Sequence, residues 1–282
     1  MRSDPTCVGR SGAYSSPMEL NGAHVLVTGA SRGIGAAMAR RFAAAGANVS
    51  VAARSVDELQ AVAADVKGTA FAVDLLDASA VDELVPRVES AVGPIDVLVN
   101  NAGLENSQWL LKETARSIRD VVRLNLEAPI VLTNAVLPGM LQRGRGHLVY
   151  TSSLAGTSGF PGMTVYSGTK GGINNFVSGL RLELRDSPLH ITLVAPGPVD
   201  TRMWDVLEEA DRFAPMLRRL NGLHLIPKKT PELVARRTVK AVTGDRRHVR
   251  MPRRLSVSFW LGESPRRISE VLLAKVPFDH GD

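Results

Sequence analysis

Residues 24–35, HVLVTGASRGIG, decide the fold of this chain. The first five, HVLVT, form a short apolar run that is rich in β-branched residues. A glycine-rich turn follows, and then residues 38–47, MARRFAAAGA, place apolar side chains at helical spacing. A strand, a turn and a helix in this order predict the opening unit of an α/β fold.

The turn between that strand and helix runs from Thr28 to Gly35 and contains three glycines. Glycines let the backbone turn tightly and approach a ligand closely, while the start of the helix presents free N–H groups to a phosphate. A glycine-rich turn that binds nothing is the alternative for a single motif of this kind. The strand and helix on either side favour the phosphate-binding interpretation.

The second predicted strand, NVSVAAR, ends at Ala53 and Arg54. In dinucleotide-binding folds an acidic residue roughly 20 positions after the glycines holds the ribose of NAD, whereas a basic residue suits the 2′-phosphate of NADP. No Asp or Glu stands at this position, and Arg54 and Arg32 are available to a phosphate. The sequence therefore predicts NADP, with NAD less favoured. An ordinary surface charge is the alternative for either arginine.

The alternation of strand and helix continues along the chain. Predicted elements are a helix from Val56, a strand at 69–75, a helix from Ala78 to Val92, a strand at 95–103, a helical region from Glu113 to Gln142, a strand from His147, a helix to Arg185, the strand HITLVAPG, the helix PELVARRTVKAV and the strand RHVRMP. Near-continuous apolar strands between helices indicate a parallel sheet buried on both faces. We predict an α/β fold with a single doubly wound parallel sheet, Rossmann-like, with helices on both faces.

Two residues in the second half, Tyr166 and Lys170, stand four positions apart. On a helix they share a face, and a fixed cation beside a phenol lowers its pKa from about 10. The pair is therefore a candidate proton donor and acceptor. Ser153 follows a predicted strand, where its hydroxyl can hold a substrate oxygen. Asn125, in an apolar setting, is either a packed structural hydrogen bonder or part of a polar relay.

Composition indicates a protein with a hydrophobic core and excludes a disulfide-rich one. The 282 residues are 44% hydrophobic, which suffices for a sizeable core. The single cysteine, Cys7, excludes a disulfide framework and a cysteine-based metal site, so we expect no metal and a reducing, cytoplasmic setting. Residues 1–19 lack the apolar core of a secretory signal and are predicted to be a disordered tail. No apolar run approaches 18 residues.

The net charge of +6 is unevenly distributed. Between Arg212 and Lys275 there are 16 Lys and Arg against 4 Asp and Glu, a net charge of +12, which leaves −6 for the remainder. A basic surface of this kind suits an anionic cofactor, a membrane surface or nucleic acid, or is simply solvated. No nucleic-acid motif accompanies it, so we expect no nucleic-acid partner.

Motifs along the chain agree in order and spacing: TGASRGIG at 28–35, NNAG at 100–103, Asn125, Ser153 thirteen residues before Tyr166, YSGTK at 166–170 and PGPVDT at 196–201. With these motifs the chain resembles the short-chain dehydrogenase/reductase family over about residues 20–251. The resemblance implies an NAD(P)-dependent enzyme that acts on CH–OH and C=O groups. It also implies a homodimer or homotetramer.

The resemblance further implies roles for individual residues. Tyr166 is the implied acid/base, Lys170 binds the nicotinamide ribose and tunes Tyr166, Ser153 orients the substrate oxygen, and Asn125 anchors a water relay. The predicted cofactor contacts are Thr28, Gly29, Ser31, Arg32, Gly33, Ile34 and Gly35 in the phosphate loop, Arg54, Asp74 and Leu75 on the adenosine side, Asn101, Ala102 and Gly103 along the wall, and Pro196, Gly197, Val199, Thr201, Tyr166 and Lys170 around the nicotinamide.

Two segments extend beyond these motifs. Residues 202–230 form a long insertion with apolar side chains at helical spacing. These side chains form the buried face of two short helices or also the roof of a hydrophobic pocket, and we predict the insertion to be a substrate lid. Residues 252–282 form an amphipathic extension that packs on the protein or contacts a membrane surface, with packing favoured. The predicted function is NADP-dependent hydride transfer to or from a hydrophobic alcohol or ketone. A cofactor-binding sensor or scaffold without turnover, and a membrane-surface protein that uses the basic C-terminal region, are the alternatives.

Overall fold

A computed structural model of the protein describes residues 18–209 and 227–252. In this part of the chain seven parallel strands form one sheet in the order β3-β2-β1-β4-β5-β6-β7. The strands are β1 (His24–Thr28), β2 (Asn48–Ala53), β3 (Thr69–Ala72), β4 (Val97–Asn100), β5 (His147–Thr151), β6 (His190–Ala195) and β7 (His248–Arg250). Residues 1–17 of the predicted tail, residues 210–226 of the predicted lid and residues 253–282 of the extension lie outside the described residues.

Helices connect the strands in the described chain. They are α1 (Gly33–Ala43), α2 (Val56–Val66), α3 (Ala78–Val92), α4 (Ala115–Val122), α5 (Ala128–Arg143), α6 (Thr164–Glu183), α7 (Arg202–Glu209) and α8 (Pro231–Val242). A π-helical turn (Arg123–Glu127) joins α4 to α5, and 3-10 turns cover Leu110–Lys112 and Leu154–Gly156. Side chains cap several of the helices; for example, Thr230 Oγ1 accepts a hydrogen bond from the backbone N–H of Leu233.

The sheet is buried on both faces, as the apolar strands predicted. Within β1, Val25 and Val27 pack into one hydrophobic cluster with α1, α2 and α8, while Leu26 packs into a second with α3, α5 and α6. This division follows from the alternation of side chains along a strand. The predicted doubly wound α/β fold is therefore confirmed. Because the strand order reverses between β1 and β4, a crevice opens at their carboxyl ends.

The structure shortens two predicted strands. β3 ends at Ala72 rather than at residue 75, because the chain turns at Asp74, whose Oδ1 accepts a hydrogen bond from the backbone N–H of Leu76. β4 ends at Asn100 rather than at residue 103, because Asn101 leaves the sheet to bond with Thr28. Apolar content alone does not reveal such turns.

One helical run, Ala115–Arg143, is long enough and apolar enough to span a membrane by length and composition alone, with a mean hydropathy of 1.3. Charged residues interrupt its apolar stretches, so the sequence contains no long uninterrupted apolar run there. In the fold, Leu132, Val136 and Met140 of this run are buried against the sheet. A core helix of a soluble protein passes the same test, so the finding is weak support for a membrane span.

Candidate active site

The crevice between β1 and β4 is closed at its base by a side chain, Thr28. Its Oγ1 donates to the carbonyl of Val99 at 3.1 Å and accepts from the backbone N–H groups of Asn101 at 3.0 Å and Ala102 at 3.2 Å. Asn101 Nδ2 donates in turn to the carbonyls of Thr28 at 3.1 Å and Gly29 at 3.3 Å. The glycine-rich turn and the NNAG turn therefore form one rigid unit.

The glycine-rich turn closes only because it lacks side chains at two points. A Cβ at Gly29, where φ is +64°, would lie 2.7 Å from Ala102 Cα. A Cβ at Gly35 would lie 2.2 Å from the carbonyl oxygen of Gly29. The side chain of Arg32 does not cap α1, so the first N–H groups of this helix face the turn. These features fit the phosphate groups of a dinucleotide.

The PGPVDT segment connects this turn to the region of Ser153. The carbonyl of Pro196 accepts a hydrogen bond from the backbone N–H of Leu154, the residue after Ser153, at 2.9 Å. At the other end of the segment, Thr201 Cγ2 lies 3.4 Å from the position that a Cβ on Gly33 would occupy. The structure thus brings the predicted phosphate and nicotinamide contacts to one edge of the sheet.

Two arginines, Arg32 in the glycine-rich turn and Arg54 directly after β2, are the predicted contacts of the cofactor's 2′-phosphate. Arg54 Nη1 lies 3.9 Å from Asp74 Oδ2, and Arg32 Nη1 lies 3.7 Å from Glu58 Oε2. The side chains of the two arginines are 73% and 56% exposed, so both ion pairs are weak in water. A phosphate group can therefore compete with these carboxylates for either guanidinium. Leu75, predicted to contact the adenine, is buried.

Tyr166, Lys170 and Ser153 converge at the ends of β5 and α6. Tyr166 and Lys170 share a face of α6, with Lys170 Nζ 5.7 Å from the centroid of the phenol ring. The same Nζ donates to the carbonyl of Thr151 at 2.9 Å, which fixes the ammonium against the end of β5. The Ser153 hydroxyl lies near enough to the phenol of Tyr166 to lower its pKa. The structure therefore brings together the three side chains that the sequence predicted.

Asn125 lies in the π-helical turn, a distortion that is frequent at functional sites. Its amide exchanges two hydrogen bonds of 2.8 Å with the backbone of Leu104 and donates to Thr169 Oγ1 at 3.2 Å. The sequence left two roles open for Asn125, a structural hydrogen bonder and a member of a polar relay, and both require hydrogen bonds of this kind. In the structure Asn125 ties the loop after NNAG to α6, while its part in a water relay stays a prediction.

Burial controls the proton affinity of Tyr166. It raises the pKa of Tyr166 to about 12; the hydrogen bond from Ser153 partly offsets this rise, and the negative charge of Glu105 adds to it. The expectation that Lys170 lowers this pKa below 10 is wrong for the structure, because the cost of removing a phenolate from water exceeds the stabilisation that Ser153 provides. Burial also lowers the pKa of Lys170 to about 8. At neutral pH the phenol keeps its proton.

Sequence reasoning missed a buried pair behind the site, Ser152 and Asn174. Ser152 Oγ donates to Asn174 Oδ1 at 2.6 Å, and Asn174 Nδ2 donates to the carbonyl of Gly156 at 3.0 Å. The pair fastens the loop that carries Ser153 to the helix that carries Tyr166. A signal was present, because Asn174 stands eight residues after Tyr166 and therefore on the same face of α6.

We expect Asn174→Leu to lower kcat about tenfold while KM and cofactor affinity change less than about twofold. Leucine removes both hydrogen bonds, so Ser153 no longer holds its position relative to Tyr166, and a factor of ten corresponds to about 1.4 kcal/mol of transition-state stabilisation. Steady-state kinetics measure the effect, with thermal melting as a check on folding. Asn175→Leu is the matched control, because Asn175 is the next residue in the helix and its side chain is exposed. A folded Asn174→Leu variant with the kcat of the wild type would contradict the positioning role.

Comparisons with known proteins agree with this geometry. The sequence model described as short chain dehydrogenase matches residues 23–212. The chain belongs to the short-chain dehydrogenase family. The resemblance predicted from the motifs is thereby confirmed, and this short-chain dehydrogenase is an NAD(P)-dependent oxidoreductase like other members of the family.

Three relatives show how close the similarity is. The ketoacyl reductase HetN of Nostoc sp. is 36% identical over 235 residues, which cover 79% of this short-chain dehydrogenase and 76% of HetN. Gluconate 5-dehydrogenase of Gluconobacter oxydans is 34% identical over 203 residues, covering 70% and 79% of the two chains. The crystal structure of a metagenomic short-chain oxidoreductase in complex with NADP matches 80% of this chain and 92% of its own, with 31% identity and a TM-score of 0.66.

Proposed function

We propose that the protein transfers hydride between NADP(H) and a hydrophobic alcohol or ketone, with Tyr166 as the acid/base. The observation that carries the proposal is the phenol of Tyr166, with Lys170 Nζ 5.7 Å from its ring centroid and Ser153 nearby, at the edge of a crevice with a glycine-rich turn. A sensor or scaffold without turnover has no need of this arrangement.

Tyr166, Ser153 and Lys170 each have a separate role in the proposed reaction. When bound, the nicotinamide donates hydride to the carbonyl carbon in reduction and accepts it in oxidation. In reduction, Tyr166 transfers the proton of its hydroxyl to the carbonyl oxygen, which Ser153 Oγ holds by a hydrogen bond. The ammonium of Lys170 stabilises the negative charge that remains on the phenol oxygen. In oxidation the same groups move the proton in the opposite direction.

Two observations support NADP as the cofactor. Arg54, and not an acidic residue, follows β2, and the exposed guanidiniums of Arg54 and Arg32 lie at the adenosine end of the crevice. The metagenomic short-chain oxidoreductase, which is 31% identical, is described in complex with NADP.

Support for a hydrophobic substrate comes from apolar side chains beside the cofactor segments. Leu104, directly after Gly103, is 37% exposed, and Met203, two residues after Thr201, is 43% exposed. The relatives bring two kinds of substrate into consideration, since HetN is named a ketoacyl reductase and the Gluconobacter enzyme is named a gluconate dehydrogenase. The apolar rim favours a ketoacyl-like compound. Assembly into a homodimer or homotetramer belongs to the same proposal.

A screen of ketones of graded size tests the proposed function. With each ketone, the loss of NADPH absorbance is followed. With each matching alcohol and NADP, the gain of NADPH absorbance is followed. We expect kcat/KM to rise with chain length or ring number across the series, because a larger apolar group leaves water on binding. Activity that is highest with small polar ketones would contradict the substrate class, and no NADPH oxidation with any member would contradict the proposed reaction.

The lowered pKa of Lys170 predicts the pH dependence of ketone reduction. Below pH 8 the lysine is an ammonium and stabilises the phenolate that forms, whereas above pH 8 it loses this charge. Because the phenol of Tyr166 keeps its proton up to about pH 12, the decline is due to the lysine. We expect kcat/KM to fall above pH 8 by up to about tenfold for each pH unit.

The pH profile of Lys170→Arg provides the control. The guanidinium stays protonated throughout this range, so the variant should be slower than the wild type, since a larger group enters a buried site, but flat between pH 7 and pH 10. A wild-type profile without any decline over the same range would show that Lys170 does not titrate there.

A further inference from the structure

A side chain, that of Thr151, spans the point where β4 and β5 separate. The last pair in the ladder between these strands is Asn100 with Tyr150. The residue after β4, Asn101, leaves the sheet, whereas Thr151 continues in β5 and pairs with Val194 of β6. Thr151 Oγ1 donates a hydrogen bond to Asn101 Oδ1 at 3.3 Å. A side-chain bond thus takes the place of the ladder bonds that end here.

Asn101 continues this link into the glycine-rich turn. Its Nδ2 donates to the carbonyls of Thr28 at 3.1 Å and Gly29 at 3.3 Å. A Cβ at Gly35, in the first turn of α1, would lie 2.6 Å from the same nitrogen, so the amide is packed tightly against the turn. Among the residues that the structure describes, Thr151 is the only donor to Asn101 Oδ1. The hydroxyl of Thr151 therefore helps to hold the amide that fixes the turn.

The other end of the link is Lys170. Its Nζ donates to the backbone carbonyl of Thr151 at 2.9 Å, and Lys170 is only 4% exposed. Thr151 therefore holds the ammonium with its main chain and, through Asn101, the glycine-rich turn with its side chain. These two groups belong to different parts of the cofactor, since the turn fits the phosphates and Lys170 is the predicted contact of the nicotinamide ribose.

We propose that Thr151 is a positioning residue that fixes the spacing between the glycine-rich turn and Lys170, so that one cofactor molecule is held at its phosphates and at its nicotinamide ribose together. The proposal rests on the proposed function and adds to it a residue that sets the geometry of the cofactor site. A rigid spacing favours a ligand that spans both contacts, because the second contact forms with little further loss of freedom. A ligand that reaches only one of the contacts gains nothing from it.

The test compares NADPH, which spans both contacts, with adenosine 2′,5′-bisphosphate, which has the adenosine end and a 5′-phosphate but no nicotinamide ribose. Thr151→Val keeps the shape of the side chain and removes the hydrogen bond to Asn101. This bond is longer than the roughly 2.8 Å common for hydroxyl donors, so we expect a moderate effect. The dissociation constant of NADPH should rise about three- to fivefold, and that of the bisphosphate should change less than about 1.5-fold. Isothermal titration calorimetry measures both.

Thr151→Ser and Thr243→Val are the matched controls. Serine restores the hydroxyl, so Thr151→Ser should bind NADPH within about 1.5-fold of the wild type. Thr243 Oγ1 donates over a similar distance, 3.2 Å, to the carbonyl of Val239, but this bond lies at the end of α8 and joins no second segment. Thr243→Val should therefore bind both ligands like the wild type. Thermal melting checks the fold of each variant, and Thr151→Ala, with the same expectation, replaces Thr151→Val if the valine variant does not fold.

The pattern of losses separates a positioning role from a purely structural one. Equal weakening of NADPH and the bisphosphate in Thr151→Val would show that the hydroxyl only shapes the glycine-rich turn, and would overturn the proposal. Unchanged affinity for NADPH, or a Thr151→Ser variant as weak as Thr151→Val, would overturn it as well. A wild type that binds neither ligand would overturn the proposed function, and the positioning role with it.

Discussion

Replacing Tyr166 with phenylalanine is expected to lower turnover about a thousandfold or more while cofactor affinity stays within a few-fold. The substitution removes the hydroxyl that transfers the proton but leaves the ring that packs in α6. General acid–base catalysis by a positioned side chain contributes about 10²- to 10⁴-fold. Single-turnover absorbance of NADPH and fluorescence titration of the cofactor measure the two quantities separately.

Tyr150→Phe provides a matched control for this prediction. Tyr150 is also buried, but its hydroxyl bonds to Thr133 Oγ1 of α5 at 2.7 Å. Its loss should lower the melting temperature and leave the rate largely intact. Lys170→Ala, in contrast, should damage both rate and cofactor binding, because the ammonium serves both. A Tyr166→Phe variant that keeps a tenth of the wild-type rate would show that the acid/base has been assigned to the wrong residue.

The sheet and the shared helix face of Tyr166 and Lys170 could be predicted because local sequence determines them. The strands of a parallel sheet are apolar on both faces, so runs such as HVLVT and HLVYT are recognisable without a structure. Tyr166 and Lys170 lie in one helix, and their spacing alone places them on one face. The ends of β3 and β4 could not be predicted, because side-chain bonds to other segments decide where those strands stop.

Tertiary contacts determine what the sequence did not show. Ser152 and Asn174 are 22 residues apart in the chain, and their pairing appears only when β5 and α6 are packed. Leu104 belongs to a loop with no helical or strand pattern, and Asn125 places that loop beside Lys170. The pKa of Tyr166 is raised, whereas the sequence predicted that it is lowered. Spacing in the sequence places Lys170 near Tyr166, but the burial that raises the pKa depends on the whole fold.

The second large effect concerns the cofactor. We expect the wild type to bind NADP(H) about 10- to 100-fold more tightly than NAD(H), and Arg54→Ala to remove most of this difference. A guanidinium paired with a phosphate forms a charge-assisted contact worth about 1.5 to 3 kcal/mol, and NAD has no 2′-phosphate to pair with. The existing partner of Arg54, Asp74 at 3.9 Å, is too weakly bound to prevent this contact.

Titration of both cofactors against the wild type and three variants, Arg54→Ala, Arg40→Ala and Arg32→Ala, decides the question. Arg40→Ala is the matched control, because Arg40 is also an exposed arginine in an ion pair, with Asp65 at 2.9 Å, but lies in the last turn of α1, far from its first N–H groups. This variant should keep the wild-type preference. Arg32→Ala should weaken NADP(H) binding less than Arg54→Ala, since Arg32 precedes the helix while Arg54 occupies the position where NAD-binding folds carry their acid. Equal affinity of the wild type for the two cofactors would contradict the NADP assignment, whatever the variants show.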